Sequence, residues 1–235
     1  MTDPFGQALL DHARDERTAP LWQVDGEWER EHPIEKFYFE PRPPDGEVTA
    51  FLETHLQGPS VDLGAGVGRD VAYFGEQFET VGLERSPALV TAMHERGLDA
   101  RRGDMFALRE TFDRDRFASA LSVGTQLGLA RSLGGVRSFL SELAYVTQPG
   151  ATAVVDAYDP TTDDAHELLG YRGEPTRGLA SRVMHFRYEG VREETLLFRL
   201  FSPERLREAV APTRWRVVDS LASDGAHYRI ALQKE

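Results

Sequence analysis

The 235-residue sequence contains no cysteine, which excludes disulfide bridges, thiolate metal sites and a cysteine nucleophile. Lysine is nearly absent too: only Lys36 and Lys234 occur, and every other basic side chain is arginine. Asp and Glu number 39 against 27 Lys and Arg, for a formal charge of −12. Such a surface disfavours contact with nucleic-acid phosphates and offers no polybasic patch to anionic lipids. The same balance suits solvation in high salt, or equally the arginine bias of a GC-rich genome. The longest uncharged run, residues 117–130, is too short and too rich in glycine to span a bilayer. Residues 1–5 carry neither the basic nor the apolar region of a secretory signal. These absences predict a soluble, cytoplasmic protein, monomer or homodimer, with a small molecule rather than nucleic acid or membrane as its partner.

Apolar residues make up 40% of the chain, enough for one sizeable core. Residues 1–44 read as an accessory segment. Phe5 to Asp15 has helical spacing, a polar stretch with Trp22 and Trp28 follows, and an aromatic cluster (Phe37, Tyr38, Phe39) is closed by Pro41, Pro43 and Pro44. From Asp45 onward helical patterns alternate with short β-type runs at 61–63, 80–84, 99–103, 117–123 and 151–158. That rhythm predicts right-handed βαβ units on a parallel sheet. Residues 159–201 break it with a polar loop and two β-rich runs, Ala180 to Tyr188 and Thr195 to Phe201. A helix starting at Ser202 and a hairpin (215–221 and 227–233, turning at 223–226) close the chain.

The chain is organised around Asp62-Leu63-Gly64-Ala65-Gly66-Val67-Gly68-Arg69. A strand enters this stretch and a helix leaves it. Alternating glycines let the backbone take positive φ and approach a ligand closely, although a plain tight turn would use them as well. Ligands of open α/β sheets sit beyond the carboxyl ends of the strands. The acids at successive strand ends are therefore the residues that matter: Asp62, then Glu84, then Asp104. Glu84 follows Asp62 by 22 residues, the distance expected for a carboxylate that accepts both hydroxyls of a ribose. Arg69 stands where a dinucleotide fingerprint needs a small residue, so the glycine spacing departs from the pyrophosphate-binding pattern.

With Asp62-x-Gly64-x-Gly66-x-Gly68, Glu84 and Asp104 in this order, the sequence resembles the class I S-adenosylmethionine-dependent methyltransferases from about residue 45 to the C-terminus. The resemblance implies a Rossmann-like seven-stranded α/β sheet with a C-terminal antiparallel hairpin and helices on both faces. To this the chain adds an N-terminal cap (1–44) and a β-rich insertion (159–201) within the 45–235 domain. It also implies S-adenosyl-L-methionine as cofactor and S-adenosyl-L-homocysteine as product. Asp62, Gly64, Ala65, Gly66 and Gly68 would hold the methionyl end. Glu84 with Arg85 would hold the ribose, Asp104 and Met105 (or Phe106) the adenine, and Ser122 the methionine portion again. Phe37 or Tyr38 would fold over the cofactor, or simply pack in the core.

The acceptor side is less defined. Tyr38, Thr125, Gln126 and His185 are candidate substrate contacts. Candidate bases are Asp156, Tyr158 and His166, with His185, Tyr188 and His227 on the later hairpins. His166-Glu167 lacks the second histidine of a zinc helix, and no metal site is expected. The Asn/Asp-Pro-Pro turn of amide and base methylases is absent after strand four. A cofactor-binding module without turnover and a nicotinamide dehydrogenase are the rival readings.

Overall fold

The computed structural model describes residues 2–223 and 225–235. The chain begins with helix α1 (Pro4–Ala13). Pro4 occupies its first turn and Asp3 caps it, accepting from the Gly6 amide at 2.8 Å. A short hairpin of β1 (Trp22–Asp25) and β2 (Trp28–Glu31) follows, then a π-helical turn over Glu35–Phe39. The next elements are α2 (Glu47–His55), β3 (Ser60–Leu63), α3 (Arg69–Gly75), β4 (Thr80–Glu84), α4 (Pro87–Glu95), β5 (Ala100–Arg102) and β6 (Phe117–Ser122). Helix α5 (Leu133–Val146) leads into β7 (Thr147–Tyr158). The insertion holds β8 (Tyr171–Gly173), β9 (Leu179–Tyr188), β10 (Val191–Arg192) and β11 (Leu196–Phe201). The chain closes with α6 (Pro203–Val210), β12 (Trp215–Ala222) and β13 (His227–Lys234). The turn expected between the last two strands includes Asp224, which lies outside the described residues.

Seven strands form the main sheet in the order β12-β13-β7-β6-β3-β4-β5. Those from β7 to β5 run parallel, while β13 is antiparallel to both β7 and β12. Both faces are covered, so β3 and β6 are buried at every position. On one face α5 contributes Val136, Phe139, Leu140 and Leu143 to a core shared with α6. On the other, Phe51 and Leu52 of α2 and Phe74 of α3 pack on Leu121 and Val154. Strand β7 starts four residues before the expected Ala151, with Pro149 and Gly150 exposed where its pairing with β6 shifts register.

The entry into α5 is tight. Ser132 caps it, accepting from the Gly135 amide at 2.9 Å, and a Cβ at Gly135 would collide with the Ala130 carbonyl oxygen. Because backbone must give way, Gly135→Ala is expected to cost about 1–3 kcal/mol of unfolding free energy. A lowered urea midpoint at unchanged slope checks it.

The accessory segment differs from its sequence reading. The polar stretch around Trp22 and Trp28 is a hairpin, and β1 pairs antiparallel with β9 of the insertion. Strands β8, β10 and β11 also pair with β9, so one second sheet joins the first residues of the chain to residues 171–201. Helix α1 packs beside this sheet on α4, burying Ala8 and Leu9 with Leu89, Ala92 and Phe186. Among the described residues, no helix is long and apolar enough to cross a membrane.

Candidate active site

Strand order reverses between β3 and β6, and this switch point is where an open α/β sheet leaves a crevice. The glycine turn lies there, between β3 and α3. Gly64, Gly66 and Gly68 take φ of +76°, +60° and +78°, conformations that a side chain rarely adopts. Two amides of the turn, Gly64 and Ala65, donate to the Leu83 carbonyl of the neighbouring strand (2.9 and 3.2 Å), which fixes the loop to β4.

Three predicted acids sit around this turn in different states. Glu84, the last residue of β4, points back at it: one oxygen accepts from the Gly66 amide at 3.2 Å, the other from Arg85 and Ser86 at 2.7 and 3.2 Å. Burial raises its pKa and these amides work against that rise. Asp62 is 3% exposed. Burial, and then the neighbouring Asp70, push its carboxyl well above the usual range, with Arg42 and Arg69 opposing. Arg42 is committed to Asp70, to which its Nε donates at 2.6 Å. Asp62 thus lacks a cation of its own. Asp104 is exposed and accepts from the Phe106 amide at 2.8 Å. Met105 is buried in the main core, while the Arg85 side chain faces solvent. Ser122 ends β6 with its Oγ buried and without a hydrogen-bond partner among the described residues.

Two of the candidate substrate contacts cover the turn. A Cβ at Gly64 would meet Gln126 at 2.8 Å, and one at Gly66 would meet the Tyr38 ring at 3.4 Å. Phe37, the alternative lid residue, is 46% exposed. Tyr38 is held from behind by His32, whose Nε2 lies 3.0 Å from the hydroxyl. His32 Nδ1 lies 2.9 Å from the Gln23 Nε2, and Gln23 Oε1 accepts from Arg182 at 2.8 Å. The polarity of this chain is dictated at its far end. Arginine only donates, so the Gln23 oxygen faces it and the Gln23 amide nitrogen donates to His32 Nδ1. His32 then carries its hydrogen on Nε2 and donates to Tyr38, which keeps its own O–H for another acceptor. Burial, and next Arg182, push the His32 pKa down to about 4, so the imidazole stays neutral.

At the end of β7, Asp156 is 1% exposed and accepts three hydrogen bonds. They come from the amides of Gly124 (2.8 Å) and Thr125 (2.6 Å) and from Nε2 of His227 on β13 (2.8 Å). The His227 ring stands 5.3 Å from that of Tyr158, with which it is paired across the strands. Burial raises the Tyr158 pKa. Other candidates are not brought here. His185 occupies the opposite face of β9 from Arg182, among Arg192, Arg187, Asp25 and Glu29, because successive strand residues alternate. His166 is exposed and packs on Tyr171, and Tyr188 donates to Asp11 at 3.0 Å beside α1. Among the described residues no three His, Asp or Glu side chains cluster as metal ligands.

Most of the chain overlays on solved structures. One is an S-adenosylmethionine-dependent methyltransferase from Bacteroides fragilis, solved in complex with S-adenosyl-L-homocysteine: TM-score 0.78 at 19% identity, with 99% of this chain and 94% of that one covered. The fold is that of the class I S-adenosylmethionine-dependent methyltransferases. The CcbJ methyltransferase from Streptomyces caelestis overlays with TM-score 0.62 at 16% identity, covering 86% of this chain and 96% of its own. CalS10 from Micromonospora echinaspora, an amino pentose methyltransferase bound to S-adenosylmethionine, gives 0.54 at 18%, covering 75% and 83%. No family model matches the sequence, and no curated protein does. Within this methyltransferase fold the sequence reading missed Gln23, His32, Arg42, Asp70 and Arg182. Arg42 with Asp70, and Gln23 with Arg182, act through partners far away in the chain, so no local motif marks them, while His32 pairs with nearby Gln23 and Tyr38 in no recognised spacing.

Proposed function

We propose that the protein transfers a methyl group from S-adenosylmethionine to a small-molecule acceptor. The observation that carries this reading is the pairing of Glu84 with the positive-φ glycine turn at the switch point, next to a buried carboxyl with no ion-pair partner among the described residues. The residues fit the cofactor. No side chain projects from the turn at Gly64 and Gly66, beneath Gln126 and Tyr38, Asp62 would pair with the α-ammonium, and Ser122 Oγ has a hydrogen bond to spare. Glu84 would accept from the ribose hydroxyls, with Asp104 and Met105 at the adenine. When bound, S-adenosylmethionine supplies an electrophilic methyl on a sulfonium. Support also comes from the acceptors of proteins with the same fold, an amino pentose in one case and a glycopeptide in another.

The chain's own residues then have three tasks. Tyr38 and Gln126 roof the turn and keep water out. The rigid strand ends align acceptor and donor, a contribution of up to ~7–11 kcal/mol in systems where it has been isolated. His227 removes a proton where the acceptor carries one. Its Nε2–H is donated to Asp156, so the Nδ1 lone pair is the basic atom, worth about 10²–10⁴-fold in rate. Asp156, read from sequence as a base itself, serves here as the anchor that orients His227.

Calorimetric titration with S-adenosylmethionine tests the reading, with S-adenosylhomocysteine release as the second readout. Glu84→Gln is expected to weaken binding about 10–100-fold, the worth of hydrogen bonds to a charged acceptor. No binding at millimolar cofactor would sink the proposal.

A further inference from the structure

Beneath the second sheet a narrow cleft with about 10 Å³ of space is lined by Thr125 of the loop after β6, by Ala157 and Tyr158 of β7, and by Arg182, Phe198 and Arg199 from the insertion. Its two arginines differ in one respect. Arg199 is paired with Glu174 through both terminal nitrogens. Arg182 has no carboxylate partner among the described residues. Its Nε donates to the Leu169 carbonyl and its Nη2 to the Gln23 Oε1, both at 2.8 Å, and no described residue accepts from Nη1. Neighbouring charge makes this worse rather than better. Arg30, on β2, adds a second positive charge nearby, and the two polar groups closest in charge effect, Tyr158 and Tyr38, are neutral phenols. A largely buried guanidinium that is held in place yet left without a counter-ion is costly on its own.

We infer that Arg182 is the anion anchor of the acceptor pocket, and that the acceptor carries a carboxylate or phosphate group. This rests on the methyl-transfer reading for what is done to the acceptor, but not for what is bound. The two neutral hydrogen bonds hold the guanidinium in place, one from the insertion and one from β1. An acceptor seated by its anionic end has Tyr158 and the Thr125 loop as its neighbours. The amide of that loop is held by Asp156, the same carboxylate that orients His227. Arg182 is also the donor that starts the polarity of the chain ending at Tyr38, so acceptor charge and roof are linked through one side chain.

The test uses the protein saturated with S-adenosylhomocysteine, and three probes built on one phenyl ring: benzoate, phenyl phosphate and benzamide. Affinities are read by ligand-observed NMR. At least one of the two anions is expected to bind about tenfold or more tighter than the neutral amide. Whichever anion binds better identifies the class. Arg182→Gln should reduce the anion preference to less than about twofold, and Arg182→Lys should keep part of it. Equal binding of benzoate, phenyl phosphate and benzamide, no binding of any probe, or a preference that survives Arg182→Gln would each overturn the assignment. The comparison of probes on the wild-type protein needs no variant to fold. If S-adenosylhomocysteine fails to bind while the anion preference stands, the cofactor reading falls and the anion site survives.

Discussion

Asp62→Asn is expected to make the cofactor-free protein more stable while abolishing cofactor binding. At neutral pH the wild-type side chain is a buried carboxyl beside Asp70, and the cations near it among the described residues are Arg69 and an Arg42 already committed to Asp70. The sign of the pH dependence follows. An aspartate in the unfolded chain titrates near ~3.9. In the folded protein burial raises that value, so the folded state holds the proton more tightly than the unfolded one. The contribution of Asp62 to stability is therefore most favourable at acid pH and declines as pH rises from about 4 through the raised value. The asparagine variant has no such decline. Urea unfolding at pH 8 should show it more stable by about 1–4 kcal/mol, the range seen when buried ion pairs are replaced by well-packed hydrophobic residues. Near pH 4 the two curves should converge. Cofactor affinity should move the other way, falling about 100-fold or more, since the ammonium loses the charge it pairs with. A variant that unfolds earlier than wild type at pH 8 would mean that Asp62 is satisfied without the cofactor.

Asp156→Asn should do the reverse, lowering stability and turnover while sparing the cofactor. Both oxygens of Asp156 are in use: Oδ1 accepts from Thr125 and Oδ2 from Gly124 and His227. An amide keeps one oxygen, and its nitrogen must face at least one N–H. Each donor left unmet costs about 1–3 kcal/mol. Thr125 sits in the left-handed region at φ +64°, and the Asp156 bond is one of those that hold it there. Losing the orientation of His227 should reduce turnover by about 10²–10⁴-fold for an acceptor that must give up a proton. His227→Gln separates the two effects. The ring is only partly buried, so stability should change little while turnover falls by a similar factor. Equal turnover in wild type and His227→Gln would remove His227 from the mechanism.

The main sheet was legible in the sequence because its signals are local. Short apolar runs end in acids, glycines turn the chain, and Ser-Pro pairs open α4 and α6 as expected. The turn, Asp62 and Glu84 belong to the same local grammar. Strands β1 and β2 were not legible: each has four residues, β2 is exposed at every position, and the apolar–polar alternation of Trp22-Gln23-Val24-Asp25 is too short to mark a strand. Their partner β9 supplies the missing order from far along the chain. His227 was among the candidate bases, but its pairing with an aspartate 71 residues away was not legible, and Arg182 reads in sequence as one polar position among several. His166 and His185 illustrate the converse. Residue type made them candidates, and strand parity and exposure placed them elsewhere.

The pairing of β1 with β9 also bears on how the protein is made. Val24 lies opposite His185, 161 residues later, so the first strand synthesised has only its hairpin mate β2 until most of the chain has emerged. Contacts of such separation carry a large loop-closure cost and form after local ones. The βαβ core can condense as it is translated, whereas the roof over the glycine turn must wait for residues 179–188. During that interval the newborn core is open over its own crevice, and a cofactor arriving early would meet the turn before Tyr38 could cover it.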